Sequence, residues 1–218
     1  MKEWRKILLS FDLDNTLINN REGIVNSFNY ALNKYNLQTL DRDEIEAMIG
    51  IPLGEMFERV TIEKSDKLIT AFREFYGKTG IYQASLLPGV KEKLTELNQN
   101  SFTLGVITSK KQELAIKIIK ILGIFEQFFY ILGESDSIKS KLDPRLKTHL
   151  LQKYHEYSIV IIGDHPKDKA LAEYINAPFV GVLTGNHSAE ELTRGTSTKT
   201  LILESVKDLE PEMIYNLI

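Results

Sequence analysis

Residues 6–16 read Lys-Ile-Leu-Leu-Ser-Phe-Asp-Leu-Asp-Asn-Thr, so that a short apolar run ends directly in two acidic residues. The run Lys6–Phe11 is nearly continuous in apolar side chains and does not alternate with polar ones. This pattern predicts a strand buried on both faces, as in a parallel sheet covered by helices. Open α/β sheets bind ligands beyond the carboxyl ends of their strands, so Asp12 and Asp14 are candidate functional residues.

Similar runs predict the remaining strands, at residues 103–108, 128–132, 158–163, 179–183 and 200–203. Helical patterns separate these runs, at residues 111–122, 144–154 and 168–176. The first pattern ends at Gly123 and places four apolar residues on one face, Leu114, Ile118, Ile121 and Leu122. The alternation of strands and helices predicts an α/β fold with a doubly wound parallel sheet.

The segment between the first two predicted strands is different, because it carries helical patterns and no good strand. Its helices are predicted at residues 23–35, 41–48, 54–60 and 65–76, and another at 90–97 leads into the second strand. In the first, four apolar residues recur at helical spacing, Ile24, Phe28, Ala31 and Leu32. A connection of this length predicts an inserted domain. We therefore expect an all-helical cap at residues 19–85, with hinge strands at 19–21 and 83–87. Residues 1–18 and 86–218 are expected to form the α/β core.

The composition excludes several classes of protein. Of 218 residues, 43% are hydrophobic and 26% charged, which is typical of a soluble globular protein. A net charge of −3 argues against a general affinity for nucleic acids, which requires a basic excess. The absence of cysteine excludes disulfides, thiolate metal sites and thiol nucleophiles. No signal peptide or membrane span is predicted, so we expect a cytoplasmic protein with no membrane partner. We expect a monomer or a homodimer.

Polar residues follow four of the predicted strands, and each group alone has a simpler interpretation. Asp12 and Asp14 resemble an ordinary acidic loop, and a calcium-binding EF-hand loop is excluded because Leu17 and Gly23 replace its glycine and glutamate. Thr108-Ser109 suits either an anion site or a helix N-cap. Lys141 alone is typical of a surface charge.

The fourth group follows the strand at 158–163 and contains Gly163, Asp164, His165 and Asp168. Glycine allows a sharp turn at the strand end, and Asp168 suits the first turn of a helix through its interaction with the helix dipole. We expect His165 to face solvent. Nothing in the sequence pairs it with a hydroxyl nucleophile, so no Ser/His/Asp triad is predicted.

Taken in order, the four groups resemble the motifs of the haloacid dehalogenase-like (HAD) hydrolase superfamily. Its pattern is Asp-x-Asp-x-Thr, a strand-ending Thr or Ser, a Lys, and Gly-Asp-x-x-x-Asp, and the match spans nearly the whole chain. The helical insert looks like the cap of the phosphoglycolate phosphatase-like branch, whose cap loop is similar to residues 50–54. The sequence departs from the common pattern at Asn15 and His165, where Gly and Thr are usual, and at Leu142, where Pro is usual.

The resemblance implies a phosphatase that acts on a small phosphorylated metabolite, such as a phosphoglycolate-like compound, a nucleotide or pyrophosphate. In this interpretation Asp12 attacks phosphorus to form an aspartyl-phosphate, and Asp14 is the general acid and base. Magnesium would be bound by Asp12, Asp164 and the backbone carbonyl of Asp14. The remaining implied site residues bind phosphate (Thr108, Ser109 and Lys141) or support the site (Asp168, Thr16 and Gly163).

Four alternatives are weighed against this interpretation. Dehalogenases of the superfamily lack the acid at Asp14, so this residue favours phosphoryl transfer. A sugar phosphomutase would need a second phosphate site in the cap, for which Arg21 and Arg59 stay open. A phospho-accepting receiver module is disfavoured by the Asp12–Asp14 spacing and by the long segment before Thr108. An inactive regulatory relative would have lost a catalytic residue, and none is lost.

Overall fold

The structure is a computed structural model that describes residues 6–61 and 65–218. Strands and helices alternate along most of the chain. The strands are β1 (Lys6–Phe11), β2 (Ile18–Asn19), β3 (Ser85–Leu86), β4 (Thr103–Lys111), β5 (Tyr130–Glu134), β6 (Tyr157–Gly163), β7 (Phe179–Val182) and β8 (Thr200–Leu203). The helices are α1 (Arg21–Lys34), α2 (Arg42–Glu46), α3 (Leu53–Glu58), α4 (Ser65–Lys78), α5 (Val90–Gln99), α6 (Gln112–Ile121), α7 (Pro144–Lys153), α8 (Pro166–Ile175), α9 (Ala189–Thr193) and α10 (Pro211–Leu217).

The main sheet has six parallel strands in the order β5-β4-β1-β6-β7-β8, which confirms the predicted α/β class. Its central strand β1 pairs with β4 on one side and β6 on the other. Leu8, Leu9 and Phe11 of β1 are fully buried, which explains why this run is nearly continuous in apolar residues. The order of connections reverses at β1, so its carboxyl end lies at the topological switch point of the sheet.

Several boundaries, among them those of β5, and one helix face differ from the sequence-based expectation. Strand β4 extends to Lys111 with a register shift between Ile107 and Lys111, so α6 begins at Gln112. The predicted face of this helix is wrong in part, because Ile118 is buried but Ile121 is 41% exposed. The buried face also contains Ala115 and Ile119. Apolar side chains occur around most of this helix, so their spacing did not single out the face that packs on the sheet.

Chain contacts divide the molecule into two compact units, one formed by Asn19–Ser85 and the other by the remaining described residues. The first, which we call the helical unit, contains α1–α4 and is inserted between β1 and β4. Its helix α1 buries Ile24, Phe28, Ala31 and Leu32, as the spacing predicts. The short strands β2 and β3 pair with each other where the chain passes between the units. Within residues 6–61 and 65–218, no helix has the length and apolar character needed to cross a membrane.

Candidate active site

A tight turn holds Asp12 and Asp14 at the end of β1. The backbone N–H of Asp12 donates to the carbonyl of Ile162 at 2.8 Å, which extends the β1–β6 pairing by one residue. The chain then turns through Asn15, whose φ of 58° lies in the left-handed region, and the Asn15 N–H donates to the carbonyl of Ile18 at 2.8 Å. Asparagine adopts this conformation more readily than most residues, which explains how it replaces the usual glycine.

Three carboxylates, which we call the carboxylate cluster, meet beyond the ends of β1 and β6. Asp12, Asp164 and Asp168 each offer a carboxylate oxygen, and these oxygens lie within 4.8 Å of one another. The three residues are buried, with Asp168 only 1% exposed. The buried Lys141 ammonium donates to Asp12 Oδ1 at 2.6 Å and to Asp168 Oδ1 at 2.5 Å. The structure thus brings residues from three separate motifs into one buried charged site.

The loop that carries Lys141 is fastened on both sides of this residue by Asp143. The Asp143 carboxylate accepts hydrogen bonds from the backbone N–H groups of Lys139 and Arg145, both at 2.9 Å. It also binds the Arg145 guanidinium, with Nη2 at 2.7 Å from Oδ2. The hydrogen bonds from the Arg145 side chain and from these two amides lower the pKa of Asp143. As the N-cap of α7, Asp143 fixes the backbone that delivers Lys141 to the cluster.

Two glycines leave the space that the carboxylates of β6 and α8 occupy. A Cβ at Gly163 would lie 2.3 Å from Cγ of Asp168, and a Cβ at Gly185 would lie 2.0 Å from Oδ2 of Asp164. On its other oxygen, Asp164 accepts a hydrogen bond from the Thr16 hydroxyl at 2.8 Å. Gly163 and Thr16 therefore lie where the resemblance implies a supporting role. Gly185 was missed, and its only signal in the sequence is a glycine shortly after a predicted strand.

His165 is half-buried, whereas the sequence suggested that it faces solvent, and it forms the N-cap of α8. Its Nδ1 accepts the backbone N–H of Lys167 at 3.0 Å, and its ring packs edge-on against His187 with centroids 4.6 Å apart. Burial, with the nearby charges of His187 and Lys141, lowers the pKa of His165 to about 3. A neutral imidazole suits this position, since a protonated Nδ1 could not accept the capping hydrogen bond.

Burial raises the pKa of two carboxyls of the cluster, because their negative charge is only partly compensated. It raises the pKa of Asp12 well above its ordinary value, in spite of the attraction of Lys141, and the charges of Asp168 and Asp164 add to the effect. Burial and the charge of Asp168 raise the pKa of Asp164 to about 7. Burial opposes the charge of Lys141, but Asp12 and Asp168 outweigh this and raise its pKa. Three carboxylates with one ammonium leave negative charge for which a divalent cation would compensate, and oxygen-only donors suit a hard cation such as Mg²⁺.

A second charged pair, between Asp14 and Lys110 of strand β4, lies beside the cluster. The Asp14 carboxylate lies 3.2 Å from the Lys110 ammonium, measured between Oδ2 and Nζ. Thr108 is buried, and its hydroxyl accepts the backbone N–H of Lys110 at 3.1 Å. Ser109 is half-buried inside β4 and does not cap α6, because the N-cap of that helix is Lys111. Sequence reasoning missed Lys110, whose signal is a basic residue two positions after a strand-ending threonine.

Comparison with known proteins places this geometry in a family. A phosphoglycolate phosphatase from Yersinia pseudotuberculosis serotype I (strain IP32953) is 28% identical over 213 residues, covering 93% of this chain and 91% of that protein. Tyrosine-protein kinase PtkA from Mycobacterium tuberculosis (strain ATCC 25618 / H37Rv) is 33% identical over 181 residues, covering 80% of this chain and 62% of that protein. The crystal structure of a predicted phosphatase from Clostridium acetobutylicum has a TM-score of 0.83 and 26% identity, covering 97% of this chain and 100% of that chain.

Two of these relatives are named as phosphatases and one as a tyrosine-protein kinase. The family is shown by a match that spans most of the chain. The model of the haloacid dehalogenase-like hydrolases matches residues 9–182, which include every residue of the carboxylate cluster together with Lys110 and Lys141. The chain belongs to the haloacid dehalogenase-like hydrolase family.

Proposed function

We propose that the protein is a Mg²⁺-dependent phosphatase that hydrolyses a small phosphorylated metabolite. The observation that carries this proposal is the buried contact of Asp12 with Lys141 inside the carboxylate cluster. It combines a nucleophilic oxygen, a fixed cation and a set of hard oxygen ligands at the switch point of an α/β sheet. The phosphoglycolate phosphatase among the relatives supports the same class of reaction.

Asp12 is the proposed nucleophile. Lys141 donates to its Oδ1 at 2.6 Å and so holds the carboxylate in one orientation. Attack on phosphorus would form an aspartyl-phosphate while the bond from phosphorus to the leaving oxygen breaks. Lys141 then lies beside the transferred phosphoryl group, where its charge would stabilise the equatorial oxygens. Thr108 and Ser109, inside the neighbouring strand β4, are the proposed donors to the remaining phosphoryl oxygens.

Asp14 is the proposed general acid and base. Its carboxylate contacts Lys110 and is less buried than Asp12, so it is placed beside the cluster on a more open side. As an acid it would protonate the leaving oxygen, and as a base it would take a proton from the water that hydrolyses the aspartyl-phosphate. A halide needs no proton to leave, so this residue favours phosphoryl transfer over dehalogenation.

Asp12 and Asp164, with the backbone carbonyl of Asp14, are the proposed magnesium ligands. Bound there, the ion would neutralise charge on the phosphoryl oxygens and so reduce their repulsion of an anionic nucleophile. Asp168 completes the cluster and binds Lys141, and Thr16 orients Asp164 through the hydrogen bond to its Oδ1. These contacts fix the ligands before a cation arrives.

The test is release of inorganic phosphate from p-nitrophenyl phosphate and from a panel containing phosphoglycolate, nucleotides, pyrophosphate and sugar phosphates. We expect turnover in Mg²⁺, none in EDTA, and a loss of at least about a thousandfold in Asp12→Asn, which removes the nucleophile. Asp14→Asn should lower turnover strongly but leave phosphate binding in place. Wild-type turnover by Asp12→Asn would refute the mechanism. Transfer of phosphate between sugar hydroxyls without release would identify a mutase.

A further inference from the structure

We propose that Lys110 makes this site selective for phosphoryl compounds whose leaving group carries its own negative charge, a proposal that rests on the phosphatase function above. Such leaving groups include a second phosphate or a carboxylate close to the ester oxygen. The juxtaposition that points to this selectivity is the 3.2 Å contact between Lys110 Nζ and the carboxylate of the proposed general acid, Asp14.

The contact with Asp14 puts Lys110 on the side of the leaving group, whereas Lys141 contacts the nucleophile. Asp14 must hydrogen-bond to the oxygen that leaves, and such a bond spans about 2.8 Å. With 3.2 Å between Asp14 Oδ2 and Lys110 Nζ, the ammonium lies at most about 6 Å from that oxygen if Oδ2 makes the bond, and at most about 8 Å if Oδ1 makes it. The other cation of the site, Lys141, is bound to Asp12 and Asp168 on the side of the nucleophile. The two lysines are thus assigned to opposite ends of the breaking bond.

The backbone around Lys110 is built to hold its side chain in place. The Lys110 N–H donates to the buried Thr108 hydroxyl, and the register of β4 against β5 shifts between Ile107 and Lys111. Register shifts of this kind re-aim side chains and occur often beside active sites. The β5 backbone lies close to this part of β4, because a Cβ at Gly133 would lie only 2.5 Å from the carbonyl oxygen of Lys110. The Lys110 side chain is itself only 10% exposed.

Charge explains why an anionic leaving group benefits. The Lys110 ammonium, whose side chain is only 10% exposed, creates a positive potential on the side of the site where Asp14 lies. A carboxylate or phosphate on the leaving group would meet this potential in a partly buried site, where screening by water is weak. A neutral alcohol as leaving group gains nothing from it. Selectivity therefore follows from one ammonium placed on the leaving side.

Binding of uncleavable phosphonates tests the selectivity without turnover. We expect the wild type with Mg²⁺ to bind methylenediphosphonate about tenfold or more tighter than methylphosphonate, as measured by titration calorimetry, since a charged hydrogen bond contributes about that factor. Lys110→Met should abolish the difference, and Lys110→Arg should restore most of it. Lys111→Met, on the exposed neighbour in the same strand, is the matched control and should behave as the wild type.

Kinetics of the same variants separate selectivity from a role in holding Asp14. We expect Lys110→Met to lower kcat/KM for pyrophosphate or phosphoglycolate by about tenfold more than for glycerol 2-phosphate. A loss of equal size for all substrates, with equal affinity for the two phosphonates, would overturn the proposal and leave Lys110 as a positioning residue for Asp14. Absence of any turnover, with the phosphonate preference intact, would refute the phosphatase function but not the preference for a second anionic group.

Discussion

The α/β core and the helical unit both bury polar groups, but groups of different kinds. In the core, the carboxylate cluster and Lys141 lie out of contact with solvent at the ends of the central strands. In the described part of the helical unit, residues 19–61 and 65–85, the buried polar side chains are Asn20 and Ser27. Asn20 is satisfied, because its Oδ1 accepts the Tyr76 hydroxyl at 2.9 Å. Aromatic rings pack in that interior beside aliphatic side chains, Phe28 on Phe57, Phe57 against Phe72, and Phe72 on Tyr76.

The difference shows that the core buries charged groups that a reaction would use, at a cost in stability, and that the helical unit does not. Burying carboxylates of like charge costs free energy. Packing contacts do not compensate for this cost, and one ammonium compensates for it only in part. Stacked rings and a satisfied amide carry no such cost. We therefore expect the stability of the core to depend on pH, on Mg²⁺ and on Lys141, and that of the helical unit to depend on none of them.

The largest expected effect is that of Lys141→Met. The substitution leaves Asp12 and Asp168 buried without their ammonium, so the free energy of unfolding of the metal-free protein should fall by about 3–5 kcal/mol. Urea unfolding in EDTA measures this loss, and a second substitution, Asp168→Asn, should recover part of it. Lys139→Met in the same loop is the control, since Lys139 is 58% exposed, and should change nothing measurable. An unfolding midpoint for Lys141→Met equal to the wild type would mean that Lys141 does not offset the buried charge.

A smaller loss is expected from Phe57→Leu in the helical unit. Phe57 is fully buried, with its ring 4.3 Å from that of Phe28, so the substitution removes stacking and some volume and should cost about 1–3 kcal/mol. Hydrogen exchange of the α1 and α4 amides measures the loss, with Tyr82→Leu as the control on an exposed ring. The loss should be the same at pH 5 and pH 8 and in Mg²⁺ and EDTA. A dependence on Mg²⁺ would break the contrast between the two units.

The pH dependence of the metal-free protein should reveal the raised pKa of Asp164. A carboxyl that titrates at about 7 when folded and near 3.8 when unfolded holds more protons in the folded state between these values, so stability is lost as pH rises through this window. Asp164→Asn does not ionise, so its melting temperature in EDTA should rise relative to the wild type from pH 4 to pH 7. Added Mg²⁺ should stabilise the wild type increasingly over the same range, because binding requires the ionised carboxylate. A difference in melting temperature between variant and wild type that stays constant from pH 4 to pH 7 would contradict the raised pKa of Asp164.

The smallest expected effect concerns the backbone under the cluster. Asn15→Gly should change turnover by no more than about twofold, because glycine adopts the left-handed φ of this turn without steric cost. Asn15→Ala should instead lower the free energy of unfolding by about 1 kcal/mol, the usual cost of this conformation for a residue with a Cβ. Thermal melts and phosphate release measure both variants. Equal stability of the glycine and alanine variants would show that the turn does not depend on its left-handed residue.

Much of the fold could be predicted from local patterns, and the failures have physical causes. The run before Asp12 predicts β1, because a strand covered on both faces has little room for polar side chains. The face of α6 could not be predicted, because its apolar residues surround the helix and only the sheet selects Ala115, Ile118 and Ile119. The environment of His165 escaped prediction for a related reason, since its burial depends on His187 from a distant part of the chain.

By itself the sequence determined the strands, the order of the motifs and the residue types that the site contains, since these depend on neighbours along the chain. Tertiary structure alone decided which side chains meet. Lys110 reaches Asp14, Gly185 makes room for Asp164, and Lys141 lies between two carboxylates, because strand order and register bring distant segments to one edge of the sheet. Strand order and register determine the contacts across the sheet edge, and no local sequence pattern predicts them.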